Sequence, residues 1–105
     1  MDKKYKIIMQ NSAQKDILTI YNYISIVLGN TAASNKLMQK IKDRFNEIAT
    51  YTKSAPLLIN EYVKNKNIRK LIIDNYIAFY EINEQKYEII VLRILHCTTN
   101  YINMI

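Results

Sequence analysis

The chain has 105 residues, half of them apolar, which is enough for one domain with a single core but not for two. The apolar fraction excludes a disordered chain, so we expect one domain spanning 1–105. Lys and Arg outnumber Asp and Glu by 15 to 9, and the net charge of +6 favours an anionic partner. That partner could be nucleic acid, a ribonucleoprotein surface or an acidic protein, unless the charge serves only solubility.

The cysteine count and hydropathy predict the compartment. A single cysteine, Cys97, excludes an internal disulfide, and a lone thiol gives no metal-site spacing. No stretch reaches the roughly 20 apolar residues that span a membrane, because Asn22 and Ser25 interrupt one candidate and Arg93 the other. The first ten residues carry lysines, but their apolar run is too short and broken for a signal peptide. We therefore predict a soluble cytoplasmic protein without metal or cofactor.

The first elements in chain order are a strand and a helix. The run from Lys4 to Gln10 predicts an opening strand, and Ser12 is the expected N-cap of the helix that follows. Gly29, the only glycine, should end this helix in a left-handed conformation. Between them, apolar residues recur at the period of a helix with one buried face: Ile17, Ile20, Tyr21, Ile24, Val27 and Leu28.

A second helix should begin at Asn30 or Thr31 and end by about Lys53, before Pro56. The two helices, joined by a Gly-Asn turn, form an αα-hairpin. Residues 54–67 predict an irregular connection. The second helix has an apolar stripe at four-residue spacing, made of Ala33, Leu37, Ile41, Phe45 and Ile48.

The last third of the chain predicts a three-stranded antiparallel meander. The runs Ile68–Ile73, Tyr76–Ile82 and Tyr87–Leu95 are rich in residues that fit a half-buried pleated surface. Asp74-Asn75 suits a primed hairpin turn, and Asn83–Lys86 suits a type I turn. The predicted fold class is α+β, with an N-terminal strand, an α-helical hairpin and this meander packed on the helices.

Both faces of the last strand are apolar. Alternation places its side chains on two faces, with Ile90, Leu92 and Ile94 on one and Ile89, Val91 and Arg93 on the other. A helical hairpin covers only one side of a small sheet. The other side must be covered by the C-terminal tail, a second copy or another protein. We favour a hydrophobic partner segment for the part that the tail leaves open.

The chain resembles, over nearly its whole length, the RelE/ParE superfamily of bacterial type II toxin–antitoxin toxins. The segment IRKLIIDNYIAFYEI is similar to the family's arginine-containing strand, turn and Y-x-x-x-Y strand, and LRILHCTTNY is similar to its R-V-L-H ending. The resemblance implies a growth-inhibiting toxin, of the kind associated with plasmid stabilisation, held silent in a hetero-oligomer by an antitoxin encoded beside it. The antitoxin would wrap an acidic, partly disordered segment over apolar and basic surface.

Two branches of the superfamily differ in target. The RelE branch cleaves mRNA on the ribosome, which requires a base, an acid and cations for the phosphorane, whereas the ParE branch is associated with inhibition of DNA gyrase. Lys70 matches a strand lysine of the RelE pattern, but Ile77 replaces its arginine, and Cys97 follows His96 where a basic residue is expected. We therefore place the chain nearer ParE, acting by binding a target such as DNA gyrase. The alternatives are a ribosome-dependent mRNA endoribonuclease and a small basic interaction module without toxicity.

The resemblance implies three sets of candidate residues. If the chain is RelE-like, its catalytic residues are Lys70, Arg93, His96 and Tyr101. The target-binding candidates are Lys64, Lys66, Arg69, Lys70, Arg93 and His96. The antitoxin-binding candidates are Ile89, Val91, Arg93, Tyr101 and Ile102.

Each candidate also has a purely structural interpretation. His96 could be a general acid or base, or only a hydrogen-bonding residue at a strand end. Arg93 could bind phosphate or an antitoxin carboxylate, or form an internal salt bridge with Glu81 or Glu88. The densest basic cluster, Lys64, Lys66, Arg69 and Lys70, suits an anionic target but could also be a solvated loop edge. Tyr101 could close the core instead of stacking on a base.

Overall fold

A computed structural model describes residues 3–105 as a four-stranded sheet with a helical hairpin packed on it. Residues 1 and 2 lie outside the described residues. They are the first two positions of the predicted domain 1–105 and of the N-terminal stretch that was tested as a signal peptide. The elements are β1 (Lys6–Met9), α1 (Asn11–Asn22) with a π-helical turn at Tyr23–Val27, α2 (Thr31–Thr50), β2 (Arg69–Ile73), β3 (Tyr76–Asn83) and β4 (Glu88–His96). The predicted α+β architecture is confirmed.

The strand order in the sheet is β1-β4-β3-β2. The strands β2, β3 and β4 form the predicted antiparallel meander, and β1 pairs in parallel with β4, with Ile7 opposite Ile89 and Met9 opposite Val91. The sequence predicted the opening strand but not its partner. The sheet is therefore mixed, and β1 and β2 are its two edges.

The two turns of the meander depend on left-handed residues. Asp74 has φ of 51°, as the first position of a primed hairpin turn requires. Tyr87 has φ of 54°, a left-handed conformation that costs a non-glycine residue about 1–2 kcal/mol. Because this conformation is not extended, β4 begins at Glu88 and not at Tyr87 as predicted. Two contacts offset this cost: the Tyr87 ring packs edge-on against Tyr5 with centroids 5.4 Å apart, and its carbonyl accepts the Lys6 N–H at 2.9 Å.

The start of α1 lies along β4 beyond the end of β1. Gln10, not Ser12, occupies the N-cap position, and it makes no side-chain cap. The Ser12 hydroxyl instead donates to the Leu92 carbonyl at 3.0 Å. Because β1 ends at Met9, the edge of β4 past Val91 has no strand partner, and side chains of α1 satisfy its backbone groups instead.

Asp16 makes the strongest contact along this edge. Its carboxylate accepts hydrogen bonds from Nε and Nη2 of Arg93, both at 2.7 Å, and from the Ile94 N–H at 3.0 Å. The predicted alternative of an internal salt bridge for Arg93 is therefore correct in kind, but the predicted partners Glu81 and Glu88 are wrong. These hydrogen bonds raise the pKa of Arg93 above its ordinary value, so the guanidinium stays charged.

The helical hairpin turns at Gly29, which has the predicted left-handed φ of 64°. Asn30 follows and caps α2 by accepting the Ala33 N–H at 3.0 Å. Val27 and Leu28, predicted on the buried face of the first helix, are instead 68% and 58% exposed. The π-helical turn is the reason, because its wider spacing rotates the last apolar residues away from the face that carries Ile20.

The main core lies between the hairpin and one face of the sheet. The predicted stripe of α2 is buried at Leu37, Ile41, Phe45 and Ile48, whereas Ala33 is only half-buried and its neighbour Ser34 takes the interior position. The Ser34 hydroxyl donates to the Tyr21 carbonyl at 3.0 Å, which satisfies this buried polar group. On the sheet side the core is completed by Leu71, Ile73, Ala78, Tyr80, Ile89, Val91 and Ile94.

A bulge in β4 changes which residues face this core. Val91 pairs with Tyr80 but Arg93 pairs with Phe79, so Leu92 is the extra residue and alternation restarts after it. Ile94 consequently shares the helix side with Ile89 and Val91. The predictions that placed Ile94 with Ile90 and Leu92, and Arg93 with Ile89 and Val91, are both wrong, because sequence alternation does not reveal a bulge: Arg93 lies opposite Phe79 of the second face.

The second face of the sheet carries its own small core. Phe79 and Leu95 are buried there by residues of the 54–67 connection and by the tail, with Tyr101 packed on Phe79 at a centroid distance of 4.9 Å. The other members are Leu58, Val63 and Ile68, with Ile77, Leu92 and Ile105 partly buried against them. The connection and the tail therefore cover the face for which a partner segment was predicted.

Replacing a core isoleucine tests the packing of α2. We expect Ile48→Ala to lower the free energy of unfolding by about 2–5 kcal/mol, because the side chain is 1% exposed and its removal leaves a cavity. Urea denaturation followed by circular dichroism measures the change. Ile59→Ala is the matched control, since Ile59 is 94% exposed and its truncation should change stability by less than about 0.5 kcal/mol. Equal effects of the two substitutions would contradict this description of the core.

Removing the Asp16 carboxylate tests the attachment of α1 to β4. We expect Asp16→Ala to lower the free energy of unfolding by about 2–3 kcal/mol, because it leaves the Arg93 guanidinium and the Ile94 N–H without their acceptor. Lys40→Ala is the control: it breaks the ion pair with Asp74, whose side chains are nearly half exposed, and should cost less than about 0.5 kcal/mol. Thermal unfolding of both variants gives the comparison, and a loss no larger than that of the control would rule out the role of Asp16.

Candidate functional site

The predicted catalytic residues do not form one open site. Lys70 lies opposite Phe79 on β2, and Arg93 lies opposite Phe79 on β4, so the three residues form a row across the sheet. Phe79 is 1% exposed beneath the Tyr101 ring, and this aromatic pair fills the position between the two cations. Arg93 is already hydrogen-bonded to Asp16 through two of its nitrogens. The row therefore presents packed side chains where a phosphodiester would have to bind.

Tyr101 has a structural role in this arrangement. Its ring lies against Phe79, and its hydroxyl accepts a hydrogen bond from Asn60 Nδ2 at 3.3 Å. These contacts connect the tail to the 54–67 connection. Of the two interpretations given to Tyr101 by the sequence, closing the core agrees with these contacts.

His96 lies apart from the other three residues, at the end of β4. The Thr98 N–H donates to its Nδ1 at 3.3 Å, and Thr98 Oγ1 lies 2.8 Å from the same nitrogen. The imidazole meets the Tyr76 ring edge-on at a centroid distance of 5.4 Å. With Nδ1 accepting from the backbone, the proton of the neutral ring resides on Nε2, which is then available as a donor.

A cleft of about 450 Å³ opens beside His96, between α1 and the ends of β3 and β4. Tyr23, Ile20 and Leu95 contribute its apolar wall, and Asp16 borders it. Burial raises the pKa of Tyr76 above its ordinary value, and the neighbouring Tyr23 adds to the rise, so this phenol stays neutral at physiological pH. The cleft contains none of Lys70, Arg93 and Tyr101, and it is suited to an apolar group with one polar atom near His96.

The predicted target-binding cations lie on separate parts of the surface. Arg69 donates through Nη1 to the Ala55 carbonyl at 2.7 Å, so it holds the chain that follows α2. Lys66 donates to the Asn60 carbonyl at 2.9 Å within its own loop. Lys64 is exposed, and neither Lys64 nor Lys70 is in an ion pair within residues 3–105. These two lysines are the cations of the set that remain free for an anionic target.

Two of the predicted antitoxin-binding residues are inaccessible. Ile89 and Val91 are each 0% exposed beneath the hairpin, so this part of the prediction is wrong: the hairpin covers the face that carries them. Tyr101 and Ile102 keep part of their surface open, and Arg93 is largely covered by its pairing with Asp16.

An apolar groove on the outer side of the hairpin was not predicted. It consists of two adjoining cavities of about 630 Å³ and 290 Å³, which share Ile17 and Met38. Its other apolar residues are Leu18 and Tyr21 from α1, Ile41 and Phe45 from α2, and Ile7 and Met9 from β1. Lys15 and Lys42 lie at its rim. Only Leu18, an exposed leucine one position off the buried stripe, could have indicated the groove from the sequence.

The groove ends at the free edge of β1. The N–H groups of Lys6 and Gln10 bond inward to the carbonyls of Tyr87 and Val91, so the backbone of Ile7 points outward. On either side of Ile7 the outward backbone groups already have partners. The Tyr5 N–H bonds the Ala49 carbonyl, and the Met9 carbonyl accepts from the Gln14 side chain. A short strand edge beside an apolar groove is suited to bind an extended or helical peptide.

In the part of the chain that the structure describes, no cluster of three or more His, Cys, Asp or Glu side chains could hold a metal ion. Neither helix there is long and apolar enough to cross a membrane.

Comparison with known proteins places this geometry in a family. The model of the ParE toxin of the type II toxin–antitoxin system parDE matches residues 7–101. Among curated proteins, none has a matching sequence. The fold is similar to solved structures of three toxin systems, each at low sequence identity.

The chromosomal ParDE toxin–antitoxin system of Pseudomonas aeruginosa matches with a TM-score of 0.70 and 18% identity, over 90% of this chain and 97% of that one. The RelBE2 toxin–antitoxin complex of Mycobacterium tuberculosis matches with a TM-score of 0.59 and 15% identity, over 89% of this chain and 98% of that one. A mutant of the Escherichia coli toxin RelE in the free state matches with a TM-score of 0.67 and 10% identity, over 95% of this chain and 90% of that one. At these identities the likeness shows the fold, and the family follows from the match over most of the sequence. The chain belongs to the ParE toxin family of type II toxin–antitoxin systems, within the RelE/ParE superfamily that its closing strands resemble.

Proposed function

We propose that this toxin inhibits growth by binding DNA gyrase and does not cleave RNA. The observation that carries the proposal is the row formed by Lys70, Phe79 and Arg93, in which a buried phenylalanine separates the two cations. Phosphodiester cleavage requires charged groups that converge on one phosphate in the transition state. The ParE family model matches residues 7–101, and the ParE branch is the one that the sequence resemblance associates with gyrase inhibition.

The competing function is ribosome-dependent cleavage of mRNA. It is favoured by His96, which is exposed and carries a donor at Nε2 in the tautomer that accepts the Thr98 N–H, and by Lys70, which has no ion-pair partner among the described residues. An acid and a cation could act together if the ribosome supplied the remaining groups. The likeness to RelE, at 10% identity, supports only the fold.

We further propose that a cognate antitoxin neutralises the toxin by occupying the groove between α1, α2 and β1. An amphipathic segment would bury its apolar side on Leu18, Tyr21 and Met38, and its acidic residues would approach Lys15 and Lys42 at the rim. The free backbone of Ile7 would bind any part that continues as a strand. The solved ParDE and RelBE2 systems, named as toxin–antitoxin assemblies, support a hetero-oligomer of this kind. The cytoplasm, where both targets occur, is the proposed compartment.

Assays with the two targets distinguish the functions. We expect the purified chain to inhibit DNA supercoiling by gyrase and to leave mRNA on programmed ribosomes intact. Primer extension on the message and gel electrophoresis of the plasmid provide the measurements. Cleaved message that is lost in His96→Ala or Lys70→Ala, but kept in the control Lys36→Ala, an exposed lysine outside the candidate sets, would overturn the proposed target and establish the nuclease.

A substitution in the groove tests the antitoxin site. We expect Leu18→Asp to weaken antitoxin binding at least about tenfold, because it removes apolar contact and adds a charge that repels an acidic segment. Growth inhibition should persist even when the antitoxin, taken from the adjacent reading frame, is co-expressed. Ile59→Asp is the matched control, since Ile59 is also apolar and, at 94% exposed against 60% for Leu18, is open to solvent but lies outside the groove. Full neutralisation of the Leu18→Asp toxin would exclude the groove as the binding site.

A further inference from the structure

The tip of the helical hairpin exposes a patch of apolar side chains that lie outside the core and the proposed groove, although one of them, Tyr23, also borders the cleft beside His96. Four residues, which we call the tip patch, form it: Tyr23, Ile26, Val27 and Leu28, with exposed fractions of 51%, 74%, 68% and 58%. Tyr23 and Val27 are four residues apart and so are neighbours along the helix. Scattered exposed apolar residues are ordinary, but four together on one protruding turn indicate an interaction surface.

The backbone holds the tip patch in place. The Leu28 N–H bonds the Tyr23 carbonyl at 2.9 Å, five residues back, and the Asn30 N–H bonds the Ile24 carbonyl at 3.0 Å around the left-handed Gly29. The π-helical turn therefore ends in a closed set of hydrogen bonds. Single π-helical turns within helices occur frequently at functional sites. Here the turn directs toward solvent apolar residues that the regular period would have buried.

The electrostatics of the tip differ from those of the remaining chain. The 19 residues from Ile17 to Asn35 include no Lys, Arg, Asp or Glu, although the whole chain carries 15 basic and 9 acidic residues. An acidic peptide would find no cation at the tip to pair with. An anionic lipid surface would also lack the Lys and Arg that accompany apolar residues in interfacial helices.

We infer that the tip patch is the interface through which two copies of this chain associate. A two-fold interface brings the same residues together from both sides, so it must be complementary to itself. An uncharged apolar surface meets this condition, whereas any basic surface of a chain with a net charge of +6 would repel its copy. The tip is thus the place where two copies approach at the smallest electrostatic cost.

The size of the patch determines how tightly the copies associate. From their exposed fractions, the four side chains offer roughly 500 Å² of surface per copy, which is within the range of the largest apolar patch on a typical monomer. Even if two copies buried all of this surface, they would cover only roughly 1,000 Å², the lower limit for a specific interface. The dimer is therefore weak and reversible, and it dissociates on dilution.

Sedimentation velocity of the full chain, made by cell-free synthesis to avoid its toxicity, tests the inference. Between about 1 μM and about 500 μM, the wild-type protein should shift from monomer to dimer. Val27→Lys places a charge at the centre of the patch and should weaken the dimer at least about tenfold. Ile59→Lys is the matched control, since it adds the same charge at a 94% exposed isoleucine elsewhere, and it should leave the dimer intact. Circular dichroism confirms that both variants are folded.

Salt dependence separates this interface from one built on ion pairs. Raising NaCl from about 50 mM to about 500 mM should strengthen the dimer, because it screens the repulsion between two basic copies, whereas an ion-paired interface would weaken. A monomer at every concentration overturns the inference, as does a dimer that Val27→Lys leaves unchanged. A monomer that binds phosphatidylcholine vesicles through the tip, and loses binding in Val27→Lys, also overturns it and assigns the patch to lipid.

Discussion

The whole arrangement depends on the three hydrogen bonds that the Asp16 carboxylate accepts from Arg93 and Ile94. The strand β1 is only four residues long, so β4 extends past it with an unsatisfied edge. Asp16 covers that edge with a helix side chain and at the same time neutralises the one arginine on the strand. A bidentate contact of this kind is stronger and more directional than a surface ion pair. It determines where α1 lies on the sheet, and thereby where the groove, the cleft beside His96 and the hairpin tip are formed.

The same interaction explains why sequence reasoning identified the elements but misplaced several side chains. Helix and strand periods are local, so the stripe of α2, the left-handed Gly29 and the two meander turns could be predicted from neighbouring residues. The contacts of Ser12, Asp16 and Arg93 join positions about 80 residues apart, and nothing local indicates them.

Single extra residues within a strand or helix also could not be predicted from the spacing of apolar residues. The extra residue at Leu92 and the π-helical turn before Gly29 each change the phase of a regular element. The first moved Ile94 into the main core, and the second moved Val27 out of it. Alternation and helical period assume that no such change occurs, so a prediction based on them assigns every residue after the insertion to the wrong face.

Not every positively charged residue selected from the sequence is available to bind a target or take part in catalysis. Of the cations selected from the sequence, Arg69 and Arg93 are engaged by backbone carbonyls or by Asp16, whereas Lys64 and Lys70 are without ion-pair partners in the described chain. Arginine, with its fixed array of donors, serves here as an internal connector, and the flexible lysines remain at the surface. A basic composition therefore gives little information about catalysis until the internal pairs are known.

The parallel pairing of β1 with β4 has a consequence for when this protein becomes able to act. Among the described elements β1 leaves the ribosome first, yet the partner of that strand begins only at Glu88. The sheet cannot be completed while the chain is growing, and a chain truncated before β4 lacks the residues that hold α1 in place. Synthesis of the toxin thus contains a delay between β1 and β4, during which both helices and the strands β2 and β3 exist without the finished sheet.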